Sequence, residues 1–156
     1  MAGVNPTDDI DFDRSVIGVE VEVGTHEANK EQMMAYAKAV GETNPLYLDE
    51  EAAKAGPYGT IIAPPLFYNM FSLQGGLDPN VNFGNAGFDG GQHVEFYEPI
   101  RAGDTISAKT KVDSVYAKTG RTGTMVFTVR RTTFTNQKGE KTTVMDRINV
   151  RRNVAQ

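Results

Sequence analysis

From Gln92 onward the chain alternates strand-like runs with tight-turn signals, and this rhythm constrains its fold more than any other feature. Gln92–Pro99, Asp104–Tyr116, Gly123–Thr135 and Lys141–Arg152 are rich in Val, Ile, Thr, Phe and Tyr. Between them stand Arg101-Ala102-Gly103-Asp104, Lys118-Thr119-Gly120 and Asn136-Gln137-Lys138-Gly139, which supply turn chemistry. Connections this short join antiparallel neighbours, because a parallel pair needs a long crossover. The pattern predicts an antiparallel meander, which must bury one face against something else.

The first half supplies the cover. Ile17-Gly18-Val19-Glu20-Val21-Glu22-Val23 is apolar at odd positions only, the pattern of a half-buried strand. Asn29 is placed to cap a helix, with Gln32 reaching back and Met33, Met34, Ala37 and Val40 on one face. Gly41 is suited to end that helix in the left-handed region, and Asp49 to cap a shorter one through Ala53. Pro64-Pro65 opens a second main helix, apolar nearly all round at Leu66, Phe67, Met70, Phe71 and Leu73, and ended by Gly75-Gly76. Residues 75–91 read as a Gly-rich loop, either a gate or a mobile surface segment. Residues 1–13, with Asp8, Asp9, Asp11 and Asp13, read as a flexible acidic arm, and residues 14–156 as a single domain. The order of strand, helices and meander is α+β.

Composition removes several functions. A chain of 156 residues suits one domain that buries roughly 70% of its unfolded surface. A formal net charge of −4 gives no reason to expect nucleic-acid binding. The absence of cysteine excludes disulfides, thiolate nucleophiles and Cys-based metal sites. With His26 and His93 as the two histidines, no His-rich metal site is expected. No apolar run approaches the roughly 20 residues of a membrane helix, and the first residues lack a signal-peptide pattern, so a cytoplasmic protein is expected.

Three separated segments carry chemistry. They are Ala39-Val40-Gly41-Glu42-Thr43-Asn44-Pro45-Leu46-Tyr47, Tyr58-Gly59-Thr60-Ile61-Ile62-Ala63-Pro64-Pro65, and Glu98-Pro99-Ile100-Arg101-Ala102-Gly103-Asp104-Thr105. In this order they resemble the MaoC-like hydratases/dehydratases, in particular their N-terminal-type, fatty-acid-synthase-type dehydratase branch. The resemblance implies a hot-dog fold, a curved antiparallel sheet wrapped around a long central helix. It implies addition or removal of water across the 2,3-double bond of an acyl thioester, with CoA or acyl carrier protein as carrier and no metal or redox cofactor. It places Glu42, Asn44 and Tyr47 at the catalytic positions, and Ala63, Pro64, Pro65, Leu66, Phe67 and Met70 beside the substrate. The expected assembly is a homodimer, or a heteromer with a second hot-dog subunit, built by extending the sheet; no membrane partner is expected.

The chain departs from the family pattern at three of these positions. Glu42 stands where the family has Asp, a displacement of about 1.5 Å, and errors near 1 Å cost on the order of 10²-fold. Tyr47 stands where the family has His; a phenol of ordinary pKa about 10 donates a proton but is a poor base. Pro65 stands where a Gly amide polarises the thioester carbonyl, and proline has no N–H, which leaves Leu66 N–H to take over after a small shift.

Three readings follow: a hydratase/dehydratase subunit that binds the acyl chain while a partner supplies the acid/His pair, a self-sufficient hydratase using Glu42 and Tyr47, or a non-enzymatic acyl-thioester-binding protein. A thioesterase, with Glu42 activating water, is a fourth. Each residue also has a plainer role. Glu42 suits a solvated surface, Asn44 a turn before proline, and Tyr47 a half-buried aromatic. The stripe Phe67, Met70 and Phe71 suits a core. His93 falls on the Glu95 face of its strand, at the surface; His26 reads as structural, and Lys118 and Arg121 as a hairpin tip.

Overall fold

The structure, a computed structural model, describes residues 7–155. Its strands are β1 (Val21–Glu27), β2 (Ala86–Phe96), β3 (Thr105–Gly120), β4 (Gly123–Thr135) and β5 (Lys141–Arg152). They form one antiparallel five-stranded sheet in the order β1-β3-β4-β5-β2. Of the expected four-strand meander, β3, β4 and β5 run in sequence, but β2 pairs with β5 at the far edge and not with β3, because the connection between β2 and β3 bonds to Ile61–Ala63 instead of folding into a hairpin. Register shifts at Glu22/Gly24, Asp89/Gln92, Val112/Ser114 and Phe134/Thr135 mark bulges, which bend strands and increase their twist. The sheet therefore has an inner face that wraps around the first half of the chain.

Helix α1 (Lys30–Ala39) starts as its sequence dictates: Asn29 accepts from the Gln32 amide at 3.0 Å. Met33 and Ala37 are fully buried, and Gly41 leaves the helix at φ 78°. Two short helices follow. Asn44 caps α2 (Pro45–Leu48) through the Leu46 amide, and Asp49 caps α3 (Glu50–Ala55) through the Glu51 and Ala52 amides. One core joins these helices to the sheet: Met33, Ala53, Ile61, Phe67, Tyr68 and Phe71 meet Ile106, Ala108, Phe134 and Met145. Burying each large side chain there is worth about 1.5–3 kcal/mol.

Several expectations are corrected. The apolar run after Pro64 forms a 3-10 helix of six residues, Pro65–Met70, not a long central helix. Phe71 turns extended, stacks on His26 with ring centroids 5.2 Å apart, and the Gln74 amide donates to Val23 O at 2.8 Å. Those contacts draw the chain along β1, where a helix would carry it away.

Strand β2 begins at Ala86, so the Gly-rich loop ends there and Gly87, Gly90 and Gly91 belong to the strand. The first strand starts at Val21 rather than Ile17. Gly18, at φ 77°, redirects the chain after an isolated bridge between Ile17 and Val112. Of the acidic arm, residues 1–6 lie outside the described residues. Ile10 is buried against Val112, Val115 and Val126, and Asp11 bridges Asn82, so that part of the arm is packed.

On the outer face, Arg131 grips Asp146 through two bonds of 2.7 Å from neighbouring strands. The guanidinium holds the Asp146 carboxyl below its ordinary value of 3.8. A depressed carboxylate adds stability above the unfolded pKa and loses it as pH falls through the folded one. Asp146→Asn is expected to cost about 1–2 kcal/mol near neutral pH. In denaturant titrations the penalty should shrink as pH falls below 3.8 and through the depressed folded-state value.

Candidate functional site

Two adjacent β-like contacts bring the three chemical segments together. The Ala63 amide donates to Ile100 O at 2.8 Å and the Ala102 amide to Ile61 O at 2.9 Å, with Ile62 bridging Arg101. The Ile62 amide donates to Leu46 O, which ties the Glu42–Tyr47 segment to the same place. The segments thus converge beside the start of β5.

Here lies a cleft of about 210 Å3, walled by Tyr47 and Tyr58, by Ile62 to Pro65, by Phe96 to Ile100, and by Thr142 and Thr143. It is apolar along Ile62, Pro64, Pro65 and Phe96, with phenols, threonine hydroxyls and the Glu98 carboxylate as its polar groups. Arg101 lies over the Tyr58 ring at 5.9 Å and Lys141 over Tyr97 at 5.9 Å, so both cations border the mouth. Tyr97 donates to Glu95 at 2.6 Å.

Burial, and next the Glu42 carboxylate, push the Tyr47 phenol above its ordinary value of 10.0. At neutral pH it is a protonated hydrogen-bond donor facing the cleft, with a carboxylate behind it. Such a pair can donate to a carbonyl or hydroxyl oxygen; it cannot take a proton at the phenol.

The structure divides the expected site residues. Tyr47, Ala63, Pro64 and Pro65 line the cleft, and Glu42 stands next to Tyr47 without lining it. Asn44 spends its side-chain oxygen on the Leu46 amide as a helix cap. Phe67 is 1% exposed, packed edge-on against Tyr36 and Phe71 in the core. Leu66 and Met70 are 46% and 56% exposed and face away from the cleft lining. The six-residue helix is the reason: with no continuing turn, its outward side chains meet solvent.

The Pro64-Pro65 pair leaves two consecutive positions without an amide hydrogen. Flanking amides are committed, Ala63 to Ile100 and Phe67 to Pro64, so Leu66 is the first residue past the prolines with an N–H to offer.

Sequence reading missed Tyr58, Phe96, Tyr97, Thr142 and Thr143. Tyr58 stands within a segment quoted for its chemistry. The β5 threonines enter only through the Phe96↔Thr143 register, which no local pattern announces. Among the described residues no group of three or more His, Asp or Glu is placed to hold a metal ion, and no helix is long and apolar enough to cross a membrane.

Because Glu42 opposes ionisation of Tyr47, Glu42→Gln is expected to lower the Tyr47 pKa while leaving it above the ordinary phenol value, since burial persists. Carbon-13 NMR of ring-labelled tyrosine reads this directly; an unmoved Tyr47 resonance would place the carboxylate out of reach.

Comparison with known proteins agrees with this geometry. The family described as FAS1-like, dehydratase domain region, matches residues 15–147. A UPF0336 protein of Saccharopolyspora erythraea is 34% identical over 116 residues, covering 70% of this chain and 74% of the relative. A probable enoyl-CoA hydratase alpha subunit of Thermomonospora curvata is 28% identical over 137 residues, 75% of this chain and 42% of that protein. Among solved structures, the HadBC (3R-hydroxyacyl-ACP dehydratase) complex of Mycobacterium tuberculosis superimposes with a TM-score of 0.66 at 21% identity, covering 88% of this chain and 98% of that one. The ChsH1-ChsH2 complex of the same organism gives 0.69 at 17% identity, covering 89% and 85%. At these identities the structural likenesses speak to fold, which is the hot-dog fold of MaoC-like dehydratases. The chain belongs to the FAS1-like dehydratase family.

Proposed function

We propose that this protein is a subunit of an enoyl-thioester hydratase/3-hydroxyacyl-thioester dehydratase that binds and orients the acyl group, while a second hot-dog subunit supplies the acid/His pair. The observation that carries this reading is the presence of Tyr47 and Pro65 in the wall of the cleft. Tyr47 is held protonated where a base is needed, and Pro65 removes an amide where the carbonyl would be polarised. What remains is a pocket that fixes a thioester without activating water.

The free edge of the sheet supports a partner. Strand β2 pairs with β5 on one side only, and Phe88 and Phe96 on it are each 50% exposed. An unpaired edge bearing aromatic side chains is a template for another strand. Both solved structures named above, HadBC and ChsH1-ChsH2, are complexes. Under this reading the substrate rides on CoA or acyl carrier protein, and neither metal nor redox cofactor takes part.

One observation favours a second reading. Glu42 lies close enough to Tyr47 to bias its ionisation. An isolated homo-oligomer with Glu42 as base and Tyr47 as proton donor is therefore the alternative.

Hydration of crotonyl-CoA and a longer enoyl-CoA, followed by loss of thioester absorbance, separates the two. The subunit reading expects no turnover by the chain alone, retained thioester binding, and turnover once an acid/His-bearing hot-dog chain is added. Turnover by the chain alone that disappears in Glu42→Gln supports the alternative. Binding without turnover in any assembly identifies an acyl-thioester-binding protein instead, and no binding at all sinks every version.

A further inference from the structure

The inner face of a sheet is normally apolar, yet here it turns cationic along its length. From Phe134 and Met145, which sit in the core, the same face of β4 and β5 continues as Thr132, Arg130 and Thr128 opposite Arg147 and Asn149. Arg130 and Arg147 are direct cross-strand partners. Like charges directly opposite one another destabilise a ladder. Arginine in that position is ordinarily paired, as Arg131 is with Asp146 on the other face. Among the described residues, neither Arg130 nor Arg147 has a side-chain hydrogen bond or an ion pair.

These arginines floor an open trough. Arg130 lines the part bounded by Asp78, Pro79, Val81, Gly87 and Phe88, and Arg147 the part bounded by Asn69, Asp89, Gly91 and Gln92. The wider part has a volume of about 450 Å3. Asp78 and Asp89 lie on the banks, but neither pairs with the arginines, and Asp89 instead accepts from the Gly91 amide at 2.8 Å. Gly76, at φ 104°, lets the bank come close: a Cβ there would stand 3.0 Å from Arg130 Nη1. Where the trough meets the core, Tyr68 is 2% exposed, with the Asn69 and Gln92 side chains beside its hydroxyl. It lines a common pocket with Arg147, Asn69, Phe134 and Met145. Two guanidinium groups side by side, with no carboxylate paired to either among the described residues, call for one kind of atom, an anionic oxygen.

The trough and the thioester cleft share β5. Thr143 lines the cleft and Arg147 the trough, on the same face, about 13 Å apart along the strand. Phe96, half exposed, then Tyr68 and Phe134 follow one another along that stretch, with ring centroids 6.4 and 5.5 Å apart. We propose that the trough receives the far end of the acyl group, and that this end carries a carboxylate held by Arg130 and Arg147. The assignment rests on the thioester reading for the near end. The oxyanion site itself stands on the trough alone.

Calorimetry with suberyl-CoA, octanoyl-CoA and CoA tests it, with octanoate against octanamide as a thioester-free arm. Suberyl-CoA is expected to bind about tenfold more tightly than octanoyl-CoA. The preference should disappear in an Arg130→Gln/Arg147→Gln double variant, with octanoyl-CoA and CoA unaffected. Arg147→Lys, which keeps the charge, should retain most of it, and this guards against reading a folding defect as a lost site.

If CoA alone weakens in the double variant, the anion is a carrier phosphate and the acyl assignment is overturned. If no thioester binds but octanoate still exceeds octanamide in an arginine-dependent way, the oxyanion site stands and the thioester reading falls. Equal binding within both pairs overturns the trough as an anion site.

Discussion

Aromatic packing on the inner face of β4 holds this molecule together. Phe134 is fully buried, with Tyr68 and Phe71 at 5.5 and 6.2 Å, and Phe67 packs edge-on behind Phe71. The helices of the first half run 10, 4 and 6 residues, all below the length at which isolated helices persist in water. They exist because their buried faces share a core with the sheet. Removing that contact would leave the meander with an exposed apolar face and the helices with no reason to form.

The same packing decides where chemistry is possible. By burying Phe67 and Tyr68, the short helix after Pro65 turns Leu66 and Met70 outward and leaves the cleft to Tyr47, Tyr58 and the prolines. Proline stiffens the wall at the cost of amide hydrogens, so the pocket is better shaped than charged.

Elements set by local chemistry were legible in the sequence. Asn29, Asn44, Gly41 and Asp49 each do what their side chains or backbone freedom dictate, and β4 and β5 have the bounds that their flanking turns predict. Elements set by distant contacts were not. Nothing near Phe71 announces that His26 will stack on it, and without that contact the run after Pro64 reads as a long helix. Likewise Gly87 to Gly91 look like loop until β5 pairs with them. Tyr47 and the Ala63–Pro65 stretch, singled out by the resemblance of the segments around them, line the cleft. Thr142 and Thr143 were not singled out, because only strand register brings them to the cleft.

The interruption in β2 has a consequence for assembly. Its pairing with β5 breaks between Asp89 and Gln92, and a Cβ on Gly90 would fall 2.8 Å from Val150 Cγ2 and 2.9 Å from Ile148 Cγ2. The irregularity is therefore built in, since no side chain fits there. A foreign strand laid on the outer edge meets two short ladders out of step with each other, and must carry a compensating irregularity to satisfy both. Strands that lack it gain half the hydrogen bonds. The kink so acts as a key that discourages fibre-like stacking of identical edges and rewards a mate whose backbone is broken to match.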